Sequence, residues 1–274
     1  MTWRSSIRVG WLPRFRTLRL PGTVILLGLL VISTFYGKAL ATMSQPQHVR
    51  NIVLVHGAWA DGSSWNKIIP LLQQKGFHVS AVHLPFTTLA DDAATVKRAL
   101  AFQDGPVLLV GHSYGGAVIT EAGDDPNVAC LVYVAAFAPD LGQSAGDLSN
   151  QYPPPSGGKE IRPDTNGFLQ LTDKGVSDDF AQDLTAPEKQ IIAATQGQVS
   201  GPNELGAKVT KVAWKNKPTF YIVADQDRMI APELEKKLAA QMNAKTIHIS
   251  SSHVPMLSHP VQVAEFIASA AATQ

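Results

Sequence analysis

The chain has 274 residues, 45% hydrophobic and 16% charged, a composition ordinary for one large soluble α/β domain. Its net charge of +1 is uneven: residues 1–41 hold Arg4, Arg8, Arg14, Arg16, Arg19 and Lys38 and no acid, so the remainder carries −5 once those six are set aside. A mildly acidic body without a Lys/Arg cluster lacks the electrostatic footprint of a nucleic-acid-binding protein.

The first segment reads as an export signal. A basic lead precedes an apolar run from Thr23 to Tyr36, and Ala39-Leu40-Ala41 offers a small-x-small cleavage site. The run is shorter than the roughly 20 residues of a spanning helix. Residues 1–41 are therefore expected to be a signal peptide cut after Ala41, giving a periplasmic or secreted protein, with an uncleaved N-terminal anchor as the alternative. Without an Arg-Arg pair, the general secretion route is favoured. The single cysteine, Cys130, falls in an apolar stretch and reads as core filler.

From Val49 onward apolar runs alternate with helical periods. Strands are predicted at Asn51–Val55, His78–Val82, Pro106–Val110, Cys130–Ala136, Thr219–Val223 and Thr246–Ile249. Helices are predicted over Trp65–Gln74, Ala90–Phe102, Tyr114–Ala122, Pro232–Met242 and Pro260–Ala271. Strands this apolar, separated by helices, imply a six-stranded parallel sheet covered on both faces. Residues of about 139–214, including Tyr152-Pro153-Pro154-Pro155, break the alternation. They read as a helical cap inserted over the carboxyl edge of the sheet, within one domain spanning 42–274.

Directly after the third strand stands Gly111-His112-Ser113-Tyr114-Gly115. A strand, Gly-x-Ser-x-Gly and then a helix form a nucleophile elbow, whose tight turn strains the serine backbone and needs glycine on either side. A serine hydroxyl requires a base, and the base an orienting acid. In chain order these should follow as acid and histidine at the ends of late strands. His253 stands after the last strand, and His259, followed by Pro260, reads as a helix-start residue. After the fifth strand comes Asp225-Gln226-Asp227. Asp227 is the better placed acid, Asp225 the alternative and Asp140 a remoter one. The oxyanion donors should be the backbone amides of Tyr114 and of Ala58, the latter in the loop His56-Gly57-Ala58-Trp59 after the first strand. His56 and His112 read as structural neighbours of the elbow. Trp59, Trp65 and Tyr114 divide between core packing and pocket lining. His78, His83 and His248 carry no assigned role. No third ligand accompanies the Asp225/Asp227 pair, so no metal is expected.

These motifs resemble the methyl esterase and hydroxynitrile lyase branch of the α/β-hydrolases, together with related small bacterial carboxylesterases. The likeness rests on Val53-Leu54-Val55-His56-Gly57-Ala58-Trp59 with Trp65, on Gly111-His112-Ser113 and on Asp225-Gln226-Asp227, and it thins over the cap. It implies an α/β-hydrolase fold, a Ser113-Asp227-His253 triad and an Ala58/Tyr114 oxyanion hole. Lyases of the branch carry a lysine after the catalytic histidine and a threonine in the oxyanion loop. Val254 and Gly57 stand in this chain instead, which favours hydrolysis. Tyr114 departs from the smaller or aliphatic residue usual in the plant esterases.

The expectation is an exported serine hydrolase, needing no cofactor, that cleaves carboxylic esters of small molecules through an acyl-enzyme. The alternatives are a lactonase or amidase, a lyase on the same triad, or a non-catalytic binding homologue. A membrane would be met only through an uncleaved N-terminal segment, and nothing in the sequence sets an oligomeric state.

Overall fold

A computed structural model describes residues 48–274. The export segment expected over residues 1–41 lies outside the described residues. Six strands form one parallel sheet: β1 (Asn51–Val55), β2 (His78–Ala81), β3 (Val107–His112), β4 (Val128–Val134), β5 (Thr219–Ala224) and β6 (Lys245–Ile249). Their spatial order is β2-β1-β3-β4-β5-β6. The central strands are buried almost throughout and the edge strands β2 and β6 largely are not. This explains why β1, β3, β4 and β5 are continuous apolar runs while β6 reads Lys-Thr-Ile-His-Ile.

The strand order reverses between β1 and β3. The connections leaving their carboxyl ends run to opposite sides, and the crevice outside the strand ends at such a point is the place where open α/β sheets bind ligands. The sheet is flanked by α1 (Ile69–Gln74), α2 (Leu89–Ala101), α3 (Tyr114–Ala122), α4 (Pro232–Gln241) and α5 (Pro260–Ala272). Helix α3 follows the elbow and is buried on nearly every side.

Three local departures from expectation have physical causes. The helix expected over Trp65–Gln74 is split into a 3-10 turn at Gly62–Trp65 and α1, which starts late because Pro70 occupies its first turn. The fourth strand runs Val128–Val134, ending where Ala135 takes φ 44°. The segment between β4 and β5 is not purely helical. It contains helices Ala145–Ser149 and Ala186–Ala194, but also an antiparallel sheet of Ile161–Pro163, Phe168–Leu171 and Val199–Ser200. The hairpin in that sheet turns on Asn166-Gly167: Gly167 has φ 84°, and Asp164 Oδ1 accepts from the amides of Asn166 and Phe168, each at 2.8 Å. Asn-Gly between short extended runs is a hairpin signal that a search for helical period passes over.

Gly115 shows how tightly the elbow is built. A Cβ there would lie 2.5 Å from the His56 carbonyl oxygen and 2.7 Å from that of Val55, both backbone atoms that have no room to yield. Gly115→Ala should therefore destabilise the fold by about 1–3 kcal/mol, the range for overpacking, as measured by denaturant unfolding. A variant as stable as the parent would contradict this packing.

Candidate active site

Ser113 sits between β3 and α3 at φ 53°, ψ −123°, outside the regions open to ordinary L-residues. Its backbone is pinned on three sides. The Ser113 amide donates to Val134 O at 3.2 Å, and its carbonyl accepts from Gly116 N at 3.0 Å and Phe137 N at 3.1 Å. Neighbouring strands and the following helix thus hold a conformation that costs of order 1–3 kcal/mol. The Gly57 backbone comes so close to the elbow that a Cβ on it would lie 2.6 Å from Ser113 Cβ.

The Ser113 hydroxyl lies 2.8 Å from His253 Nε2, and His253 Nδ1 lies 2.5 Å from Asp227 Oδ2. A carboxylate only accepts, so the imidazole proton is on Nδ1 and Nε2 faces the hydroxyl as a lone pair. The second oxygen of Asp227 accepts from the amides of Met229 at 2.6 Å and Ile230 at 2.9 Å. All three side chains are buried. The other candidate acids are elsewhere. Asp225 faces His248 at 3.0 Å and Lys236 at 3.6 Å, and Asp140 pairs with Lys215. His259 is the N-cap residue of α5.

Ala58 follows Gly57 just beyond β1 and Tyr114 opens α3 directly after Ser113, and the Gly57 backbone lies against Ser113, so the two amides belong to adjoining segments. His56 holds the first of these segments. Its Nδ1 donates to Gly57 O at 2.9 Å, and its Nε2 accepts from Leu84 N at 3.0 Å. Burial lowers its pKa to about 4, so it is a neutral strut at physiological pH. His112 likewise donates from Nε2 to the His253 carbonyl at 2.8 Å and fixes the loop carrying that residue. Its burial pushes its pKa well below the usual histidine range.

The cap reaches both loops that carry Asp227 and His253. Gln182 Nε2 donates to Gln226 O at 2.7 Å, and Asp183 Oδ2 accepts from Ser252 N at 2.9 Å. Phe180 sets its ring edge-on to His253, with centroids 5.2 Å apart. No sequence signal marks Gln182 or Asp183, which are polar residues in a loop.

A cavity of about 200 Å³ adjoins this arrangement. Its apolar wall includes Trp59, Phe180, Leu184, Ile192, Val254 and Met256. Ser113 itself does not line it; the connection is through Trp59 in the Ala58 loop, Phe180 against His253, and Val254 next to His253. Of the three candidate aromatic residues, only Trp59 faces the cavity, with its indole N–H donating to Leu169 O in the cap at 3.0 Å. Trp65 is core. At the rim, Lys67 from the main domain donates to Glu188 of the cap at 2.6 Å and to Leu257 O at 2.7 Å. Among the described residues no group of three or more His, Cys, Asp or Glu gathers closely enough to hold a metal ion.

Residues 52–266 match the profile of the Alpha/beta hydrolase family. The chain belongs to that family. This hydrolase is 25% identical over 248 residues to a pyrethroid hydrolase of Sphingobium wenxiniae, covering 80% of this chain and 87% of that one. It is 24% identical over 251 residues to methylesterase 2 of Arabidopsis thaliana, covering 80% and 94%. The crystal structure of a pyrethroid hydrolase from Sphingobium faniae superimposes with a TM-score of 0.72 at 24% identity, over 81% of this chain and 97% of that one, and shows a shared fold.

The Tyr114 side chain of this hydrolase turns away from the cavity. Its hydroxyl donates to Asp92 Oδ2 at 2.8 Å, and Asp92 stands against Glu204 of the cap. Glu204 in turn accepts from Ser200 N at 2.5 Å. Both carboxyls are shielded from solvent; burial, followed by the contact with Asp92, pushes Glu204 up to about 8, and burial raises Asp92 although its hydrogen bonds act the other way. Two adjacent carboxylates without a cation cannot both ionise cheaply, so the pair shares a proton. Glu204 is raised in the folded state. Its stabilising contribution is therefore complete below the ordinary value of 4.5 and is lost as pH rises to about 8. Thermal stability of the wild type should fall across that window, and Glu204→Gln should fall less, read as Tm at about pH 5 and about pH 8. Equal falls in the two proteins would contradict the shared proton.

Proposed function

We propose that this protein hydrolyses carboxylic esters of small apolar molecules, with Ser113 as nucleophile, His253 as general base and Asp227 as the orienting acid. One observation carries the reading: a continuous line from Asp227 Oδ2 through both nitrogens of His253 to Ser113 Oγ, at 2.5 and 2.8 Å. Relatives named as a pyrethroid hydrolase and a methylesterase support an ester substrate, and the apolar cavity beside His253 suits an apolar one.

In this scheme His253 Nε2 takes the hydroxyl proton as Ser113 Oγ attacks the ester carbonyl. The oxyanion meets the backbone amides of Ala58 and Tyr114, donors already fixed by β1 and α3. The tetrahedral intermediate collapses, the C–O bond to the alcohol breaks, and His253 returns the proton to the departing oxygen. Water then enters, gives its proton to His253 and releases the acid by the same route. Asp227 keeps the imidazole in the Nδ1–H tautomer and stabilises the imidazolium that forms twice per cycle. The scheme draws on no cofactor.

The residue after His253 is Val254, an apolar wall of the cavity. That position therefore offers no cation to stabilise a departing cyanide, and Lys67 at the cavity rim is engaged by Glu188 and Leu257 O, so hydrolysis is favoured over cyanohydrin cleavage. The basic lead and apolar run of residues 1–41 add export to this reading. N-terminal sequencing of the exported protein should then begin at Thr42, and retention of Met1 on that material would contradict cleavage.

Ser113→Ala should lower kcat/KM on an aryl ester by about 10⁴-fold or more in a folded protein. Asp227→Asn should cost about 10⁴-fold by stabilising the wrong tautomer, while Asp225→Asn leaves turnover essentially unchanged. Retained turnover in Ser113→Ala overturns the mechanism. Loss in Asp225→Asn without loss in Asp227→Asn moves the acid role.

A further inference from the structure

Helix α4 carries three acidic or basic side chains outward and one inward. Glu233, Lys236 and Lys237 are exposed, whereas Glu235 is fully buried beside Leu234, Leu238 and Ala239. Its Oε2 accepts from the amide of Ala224 at 3.0 Å. Its Oε1 is equally buried and meets no N–H or O–H donor. Its acidic neighbour is Asp227, and Ala224 ties the two together: the Ala224 amide donates to Glu235, while the Ala224 carbonyl accepts from the Asp227 amide at 3.1 Å.

Charge balance decides which of these two carboxyls is ionised. The titratable and charged groups around Glu235 are Asp227 and Asp225 beyond β5, Tyr221 within β5, and His253 on the far side of Asp227. Among the described residues none places a cation against Glu235. Lys236 turns to Asp225 and Lys237 to Gln151 Oε1, while the Tyr221 hydroxyl is engaged by Ala136 through its carbonyl and amide. Two buried carboxylates in contact would repel without compensation. Asp227 accepts three N–H bonds, from Met229, Ile230 and His253, against one for Glu235. The negative charge therefore resides on Asp227. A carboxylate offers about four acceptor positions, and the fourth on Asp227 is open.

We propose that Glu235 is a positioning residue for the catalytic acid: it remains protonated and donates its O–H to Asp227, filling that fourth position. A single proton then answers both the open acceptor on Asp227 and the unpartnered Oε1 of Glu235. Burial, followed by the charge of Asp227, pushes the Glu235 carboxyl well above the usual carboxylate range, in keeping with this assignment. The consequence lies in the triad. A donor on Asp227 draws charge away from the His253 side, so Asp227 pulls less strongly on the Nδ1 proton. The donor also leaves the carboxylate fewer orientations in which to swing away from His253. The inference rests on the triad reading given under the proposed function.

Glu235→Gln and Glu235→Leu test it. Glutamine keeps an acceptor for Ala224 and a donor for Asp227, so the acid limb of the kcat/KM profile and the Tm should match the wild type. A shift of that limb to lower pH in Glu235→Gln would reveal that a negative charge had been removed, and would overturn the proposal. Leucine keeps the bulk but no donor, and should move the acid limb to higher pH by about half a unit or more while KM changes little. An unmoved limb in folded Glu235→Leu also overturns it. Infrared spectroscopy gives a readout independent of turnover and of how well the leucine variant folds. The wild type should show the carbonyl stretch of a protonated carboxylic acid that Glu235→Gln lacks, and identical spectra in that region would refute the protonated state. Turnover retained in Ser113→Ala would instead refute the triad and leave the infrared band in place, so the two failures are distinguishable.

Discussion

Ser113 is held in a backbone conformation that an isolated chain would avoid, and the arrangement of the sheet follows from keeping it there. Val134 of β4 accepts its amide, while Gly116 and Phe137 bind its carbonyl. These bonds exist because β3 lies between β1 and β4, with His112 in register with Val134. Gly111 and Gly115 lack side chains because the turn packs backbone against backbone there, and Gly57 because its backbone lies against Ser113 Cβ. A strain of order 1–3 kcal/mol is modest against the stabilisation of a sheet whose central strands are buried along their length. What the strain secures is direction: the hydroxyl leaves the crest of the turn toward His253 rather than into the sheet.

The second constraint is the management of negative charge without nearby cations. Asp227 is buried and, among the described residues, meets no lysine or arginine; three N–H donors hold it, and the proposed Glu235 proton completes the set. Asp92 and Glu204 repeat the theme on the other side of the elbow, where one proton serves two carboxyls and ties the cap to the Tyr114 hydroxyl. Neutral hydrogen-bond donors preserve a buried charge with less attenuation than a cation would, and such a charge can stabilise an imidazolium that forms in the same dry space. The cap contributes directly, since Gln182, Asp183 and Phe180 touch the segments that bear Asp227 and His253.

Much of this architecture is legible in the sequence because burial on both faces forces continuous apolar strands. The Gly-x-Ser-x-Gly turn, Asp225-Gln226-Asp227 and His253 each follow such a strand, so their positions at one edge of the sheet can be read off. In the sequence Asp225 and Asp227 differ only in reach; in the structure Asp225 is occupied by His248 and Lys236. Tyr114, a candidate for the pocket wall, folds back because Asp92 offers an acceptor 22 residues earlier, a pairing no local pattern announces. The cap's sequence reads as helical because its short hairpin carries little alternation and its turn signal is one dipeptide. Glu235 sits in an ordinary amphipathic helix, where an acid in the first turn suits the helix dipole. Only its inward rotation separates it from the exposed Glu233.

The account turns on Ser113 being the one activated hydroxyl, with His253 as the group that activates it. The most direct measurement is labelling of the folded protein with a fluorophosphonate probe, followed by intact mass and peptide mapping. A single adduct on the Ser113 peptide, absent in Ser113→Ala and formed far more slowly in His253→Ala, is the predicted result. An unlabelled Ser113 in protein that still turns over ester, or an adduct on a different residue, would contradict it.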